Sequence, residues 1–177
     1  MLQKYNRYEL LKIFLYNATE SFRLRELSRL SKISPLSVTN YLRDFEKEKL
    51  IKKYEKREIP FYQANRDNEN FKLYMKLSIV YELNSSGLVD FLWNKLAPEA
   101  IILFGSHAKG EAIESSDIDI FIIGKEKKEP DITKYKNKLK KHVHILIESD
   151  KSNMSSEFKN NLINGIILKG YLKLFRT

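Results

Sequence analysis

Two aspartates stand two residues apart at the head of an apolar run, "DIDIFII" from Asp117 to Ile123, and ten residues before them Gly105-Ser106 closes an earlier apolar run, "AIILF". Ionised carboxylates among isoleucines lose hydration, so something cationic has to offset them. A strand period of two puts Asp117, Asp119 and Phe121 on one face and Ile118, Ile120 and Ile122 on the other, with same-face Cα atoms about 7 Å apart. Both acids therefore look the same way, an arrangement that bridges hard divalent ions such as Mg²⁺, which in turn take oxygens from a nucleoside triphosphate. Gly105 allows a sharp turn and close approach to a ligand, and Ser106 opens a short helix whose N–H and hydroxyl suit a phosphate oxygen. Lys109 adds positive charge close by in sequence.

Three strands and a helix must position these groups. "AIILF" reads as a buried strand ending at Gly105, and "DIDIFII" as the strand after it. The basic helix "DITKYKNKLKKH" leads into a third strand, "HVHILIES". On that strand His144 shares a face with Glu148, but four residues separate them, about 13 Å along a strand. A neutral imidazole can ligate Mn²⁺ or act as a base, and a lone strand histidine is more often structural. His142, next to the same strand, is the weaker candidate. The tail "EFKNNLINGIILKGYLKLF" reads as a helix broken at Gly165 and a closing apolar segment, with no separate chemistry.

Gly-Ser, ten residues, Asp-x-Asp between two apolar runs resembles the signature of the polymerase-β-type nucleotidyltransferase superfamily. The fuller segment "ILFGSHAKGEAIESSDIDIFII" is similar to the minimal nucleotidyltransferases, in which Arg often stands at the places of His107 and Lys109. The resemblance implies a short mixed sheet backed by helices over residues 85–177. It also implies transfer of a nucleoside monophosphate, with ATP as substrate, pyrophosphate released, and Mg²⁺ or Mn²⁺ held by Asp117 and Asp119. In that superfamily a third carboxylate on the next strand helps bind the metal that activates the attacking hydroxyl, and here His144 stands in its place. The catalytic candidates are Asp117, Asp119 and His144, and the nucleotide-binding candidates Gly105, Ser106 and Lys109.

The front of the chain carries a different pattern. Tyr8, Leu11, Phe14 and Leu15, then Leu24, Leu27 and Leu30, fall at helical spacing. Ser34 is placed to cap a third helix with Pro35 in its first position, where the missing N–H costs nothing. Around that helix Val38, Leu42 and Phe45 share one face, while Asn40, Arg43 and Lys47 lie opposite, flanked by Ser37 and Thr39. "LIKKYEKREIPFYQA" then gives two β-runs around the tip Lys56-Arg57-Glu58, with Pro60 placing the second run at a sheet edge. This order, above all "LRELSRLSKISPLSVTNYLRDFEKEKLIKKYE", resembles the winged helix-turn-helix of small regulators. The resemblance covers residues 1–66 and implies DNA binding, with Ser37, Thr39, Asn40 and Arg43 toward base edges and Lys56 and Arg57 on the backbone. Winged helices also serve to form a homodimer or dock a protein.

Residues 67–84 are expected as a helical connector, with Phe71, Tyr74, Met75, Ser78 and Ile79 at helical spacing and "NSSG" (84–87) as the break. "LVDFLWNKLAP" follows as a helix stopped by Pro98, its Leu88, Leu92 and Leu96 stripe serving a core. The expected class is α+β: a helical front with a β-hairpin wing, a helical connector, and a small mixed sheet backed by helices.

Composition narrows the choices. No cysteine is present, so disulfides and thiolate metal sites are excluded and oxygen or imidazole must hold any metal. No apolar run approaches the roughly 20 residues of a membrane span, so a cytoplasmic protein with no membrane partner is expected. The net charge of +9 is uneven: residues 1–66 hold 15 Lys/Arg against 8 Asp/Glu, and residues 67–100 hold 3 against 5. That excess suits a polyanion such as DNA, or a solvated lysine-rich surface.

Two functions remain open. The first is a nucleotidyltransferase that places AMP on a protein or nucleic acid. Its antitoxin-like version, implied by the resemblance, has a HEPN-type toxin protein as partner. The second is a transcriptional regulator whose degenerate transferase domain only binds or senses a nucleotide, which the missing third acid favours.

Overall fold

The computed structural model describes residues 5–125, 129–149 and 154–172. The chain divides into two compact units, one formed by residues up to Met75 with Ala112–Ser115, the other by Lys76–Glu111 and the residues from Ser116 onward. Among the described residues the class is α+β, with helices and two sheets.

In the first unit, α1 (Asn6–Tyr16), α2 (Leu24–Ser31) and α3 (Pro35–Lys47) turn their apolar stripes into one core. Leu10, Leu11, Phe14, Leu27, Val38, Leu42 and Phe45 meet there with Leu50, Tyr62 and Phe71. Leu30 is the exception to the expected stripe and is half exposed, so Leu27 alone is buried from α2. Ser34 caps α3 by accepting from the Ser37 N–H at 3.3 Å, ahead of Pro35. The small sheet runs β1 (Ser21–Phe22), β3 (Ile59–Ala64), β2 (Ile51–Lys56), so β3 is its middle strand and not an edge. Pro60 is nonetheless tolerated, because the two-residue β1 reaches only Tyr62 and Gln63 and leaves the Pro60 end of β3 paired on one side. A two-residue strand has no period for sequence reasoning to detect.

In the second unit, α4 (Glu69–Ser86), which begins in the first unit, continues through Asn84, Ser85 and Ser86. The expected break over 84–87 narrows to Gly87, whose φ of +86° turns the chain into α5 (Leu88–Leu96). A four-stranded sheet follows in the order β6 (Val143–Glu148), β5 (Ile118–Ile123), β4 (Ala100–Phe104), β7 (Ile166–Gly170). β4 is antiparallel to β5 and β7, whereas β5 and β6 are parallel, so the sheet is mixed. The helix α7 (Thr133–Leu139) supplies the crossover that a parallel pair requires. The closing segment after Gly165 is β7, preceded by α8 (Ser156–Ile163).

Both sheet faces are covered, which explains the near-continuous apolar runs. Ile101, Leu103, Ile118, Ile120, Ile122, Val143 and Ile145 pack with Leu83, Leu88 and Leu92. On the other face Ala100, Ile102, Phe121 and Ile123 pack with Leu162 and Phe158 of α8. Burial of Ile118, Ile120 and Ile122 is worth roughly 1.5–3 kcal/mol each. That fixes β5 in register and turns its odd-numbered residues to the α8 face.

Candidate functional site

Asp117 and Asp119 share the face of Phe121, at the end of β5 where apolar cover stops. Their side chains are 54% and 28% exposed, so Asp119 is the one that loses more water and most needs a compensating group. Antiparallel pairing sets Phe104, the last residue of β4, opposite Asp119. Gly105 therefore starts α6 (Gly105–Lys109) beside that carboxylate. A Cβ added at Gly105 would lie 2.5 Å from Asp119 Oδ2, and the residue holds φ +72°. A side chain here would strain the backbone and force the Asp119 carboxylate to move, so the Gly-Ser turn and Asp119 lie in close contact.

Ser106 follows directly and is half buried. Lys109 is exposed at the opposite end of α6, about 6 Å along the axis at 1.5 Å per residue. The turn between them is anchored from below by His107 and Ala108, which point into the protein. His107 is 7% exposed and its ring hydrogen-bonds the Ser116 backbone, one residue before Asp117. Burial, then the charge of Lys141, push the imidazole down to about 4, against the Ser116 hydrogen bond and Asp117. Its Nε2 is buried with no hydrogen-bond partner among the described residues. A neutral His107 thus bridges the two halves of the motif, an inward role that its place in the sequence did not reveal.

The parallel register of β5 and β6 puts Asp119 opposite His144. Nδ1 of His144 is 3.5 Å from Asp119 Oδ1, and Nδ1 of His142 is 3.6 Å from Asp117 Oδ1. His142, the weaker candidate in the sequence, stands to Asp117 as His144 stands to Asp119. Glu148 pairs with Ile123 at the far end of the strands, as its four-residue offset from His144 requires. Among the described residues no group of three or more His, Cys, Asp or Glu is placed to hold a metal ion. Two carboxylates on one open strand end still fit Mg²⁺ or Mn²⁺, because such ions are commonly held by one or two carboxylates together with substrate phosphates rather than by an all-protein cage.

The candidate nucleic-acid residues lie in the first unit. Asn40 and Arg43 are exposed on α3, opposite the buried Val38, Leu42 and Phe45. Ser37 and Thr39 are half buried and already engaged, the Ser37 hydroxyl with Ser34 Oγ at 3.0 Å and Thr39 Oγ1 with the Pro35 carbonyl at 2.9 Å. Lys56 pairs with Ile59, so the tip is Arg57-Glu58 alone, and Lys56 and Arg57 are both exposed. Arg23 lies over the Phe61 ring at 5.0 Å and Phe61 stacks on Tyr54, stiffening the hairpin base.

Residues 87–172 match the family model described as Polymerase beta, Nucleotidyltransferase. No curated protein and no solved structure matches the chain. No helix among the described residues is long and apolar enough to cross a membrane.

Proposed function

From the match of residues 87–172 to the nucleotidyltransferase family model, we propose that the chain is a metal-dependent enzyme that transfers AMP from ATP to a hydroxyl of a protein. The observation that carries the proposal is the closure of the Gly105 turn onto Asp119, which leaves backbone and carboxylate together with no side chain between them. Gly105 and Ser106 would receive the triphosphate through backbone N–H groups and the Ser106 hydroxyl, with Lys109 adding charge. Asp117 and Asp119 would hold Mg²⁺ or Mn²⁺, which when bound supplies charge screening of the triphosphate and a more acidic acceptor hydroxyl. In the reaction the acceptor oxygen bonds to the α-phosphorus, the α–β phosphoanhydride breaks, pyrophosphate leaves, and the hydroxyl proton passes to a base or to water.

The front, residues 1–66, is proposed as a winged-helix DNA-binding domain, joined by the connector 67–84 to a transferase domain over 85–177, the whole working in the cytoplasm. Support comes from the exposed Asn40 and Arg43 on α3 and the exposed Lys56 and Arg57 at the end of the hairpin. A HEPN-type toxin is the proposed acceptor, and the winged helix would let such an antitoxin regulate its own promoter.

One observation favours a second function, a nucleotide-sensing regulator without turnover. His144 stands opposite Asp119, where the superfamily's third carboxylate belongs. The phosphates are addressed by the turn and the two aspartates, so binding would survive this replacement where turnover need not. Incubation with α-labelled ATP separates the two. The enzyme labels an acceptor in the wild type and not after Asp117→Ala/Asp119→Ala, whereas the sensor binds ATP, labels nothing, and changes its DNA affinity with nucleotide.

A further inference from the structure

We infer that the exposed end of β5 and β6 offers two mixed oxygen–nitrogen ligand pairs, Asp119 with His144 and Asp117 with His142, each of which binds Mn²⁺ in preference to Mg²⁺. The inference rests on the transferase reading for the triphosphate that completes the shell, and it adds both imidazoles to the ligand set.

The geometry comes from register. β5 and β6 run parallel, with Ile118 opposite Val143 and Asp119 opposite His144. Alternation then places Asp117, Asp119, His142 and His144 on one face, and the Ile118 N–H bonded to the His142 carbonyl at 2.9 Å extends the pairing to the outer couple. The two Nδ1–Oδ1 separations, 3.5 and 3.6 Å, are nearly equal. They are long for a hydrogen bond. Two donors bound at about 2.1 Å to one ion, at right to tetrahedral angles, lie about 3.0–3.4 Å apart. Each pair stands at ion-pair distance when its histidine is protonated, and with a neutral imidazole it is a few tenths of an ångström from chelating distance.

Exposure agrees with this. The side chains of Asp117, His142 and His144 are each more than half exposed, and Asp119 is 28% exposed, so an ion can reach every donor without unfolding the strands. No three described donors converge, so each pair contributes two ligands and the rest must be phosphate oxygens and water. Mg²⁺ binds oxygen shells and dehydrates reluctantly, so an imidazole gains it little. A nitrogen donor raises affinity for first-row transition ions, and of these Mn²⁺ best accepts an octahedral shell otherwise made of carboxylate, phosphate and water.

The test uses the full chain with inorganic triphosphate, which supplies phosphate oxygens but no nucleobase nitrogen. Loss of the free Mn²⁺ EPR signal measures Mn²⁺ affinity, and competition measures Mg²⁺. Mn²⁺ should bind at least about 10-fold more tightly than Mg²⁺, and His144→Ala should weaken Mn²⁺ by about 10-fold or more while leaving Mg²⁺ unchanged. Electron spin-echo modulation from ¹⁴N should be present in the wild type and absent in His142→Ala/His144→Ala. His144→Asp, which restores an oxygen donor, should shift preference toward Mg²⁺. Bound Mn²⁺ without ¹⁴N modulation in the wild type, or unchanged Mn²⁺ affinity in His144→Ala, overturns the inference. Label transfer from ATP without nitrogen coupling would overturn it and leave the transferase standing; nitrogen coupling without label transfer would do the reverse.

Discussion

Asp119 Oδ2 lies 2.5 Å from where a Cβ on Gly105 would sit, so the turn after β4 and the carboxylate on β5 approach so closely that any side chain at position 105 would have to displace the carboxylate. Gly105→Ala must adopt φ near +72° at a cost of about 1–2 kcal/mol and must also push the carboxylate aside. Denaturant unfolding should show only that modest loss. Triphosphate binding and transfer should fall by about 100-fold or more, because the displaced group is a proposed metal ligand. A stable Gly105→Ala with full binding would separate the turn from the site.

The hairpin tip offers an independent check on local structure. Arg57 and Glu58 both hold positive φ, +52° and +61°, in a two-residue loop closed by Lys56 and Ile59. Such a turn favours Asn-Gly, so Arg57→Asn/Glu58→Gly should stabilise the first unit by about 1 kcal/mol, read as a higher urea midpoint at unchanged slope. Lower stability would mean that Arg57 or Glu58 makes contacts worth more than the strain.

Stability should fall with acid through His107. Its folded-state value of about 4 lies below the unfolded 6.5, so the unfolded chain binds the proton first as pH drops. The contribution is fully present above about pH 6.5 and is lost as pH falls toward 4, to a total on the order of 3 kcal/mol. Asp67, Glu114 and Asp131, held below the usual carboxylate range, add their losses only at lower pH, where unfolded carboxylates begin to protonate. Urea unfolding at pH 7.5 and 4.5 should show a smaller difference in His107→Gln than in the wild type. Equal differences would show that burial does not hold the ring neutral.

Much of this was legible in the sequence. Val38, Leu42 and Phe45 share the buried face of α3, and Ser34 caps it, because a 3.6-residue period and a cap signal are local. The alternation in "DIDIFII" likewise placed both aspartates on one face. Long-range register was not legible: nothing local says that β6 runs parallel to β5 with His144 opposite Asp119, or that His142 stands beside Asp117. Leu30 keeps the helical spacing yet is half exposed, because spacing alone does not say how much of a short helix's stripe its neighbours cover. The inward turn of His107 depended on how α6 packs, which one polar residue in a loop motif does not announce.

If the first unit reads DNA, its residues should separate by role. Asn40→Ala and Arg43→Ala should each cost about 1–3 kcal/mol on the preferred sequence and relax specificity. Lys56→Ala and Arg57→Ala should weaken all sequences similarly and lower the salt slope by about one each. Fluorescence anisotropy across a salt series, with DNA from the chain's own promoter, measures both. No affinity for any duplex at low salt would assign this unit to protein contacts instead.

The most direct measurement is a pair of parallel incubations with Mn²⁺ or Mg²⁺, one with α-labelled and one with γ-labelled ATP, in the presence of a candidate HEPN-type partner. Nucleotidyl transfer through Asp117 and Asp119 predicts protein-bound label from the α position only, absent in Asp117→Ala/Asp119→Ala. Label from neither position while ATP still binds, or α-label undiminished in the double variant, would contradict the account.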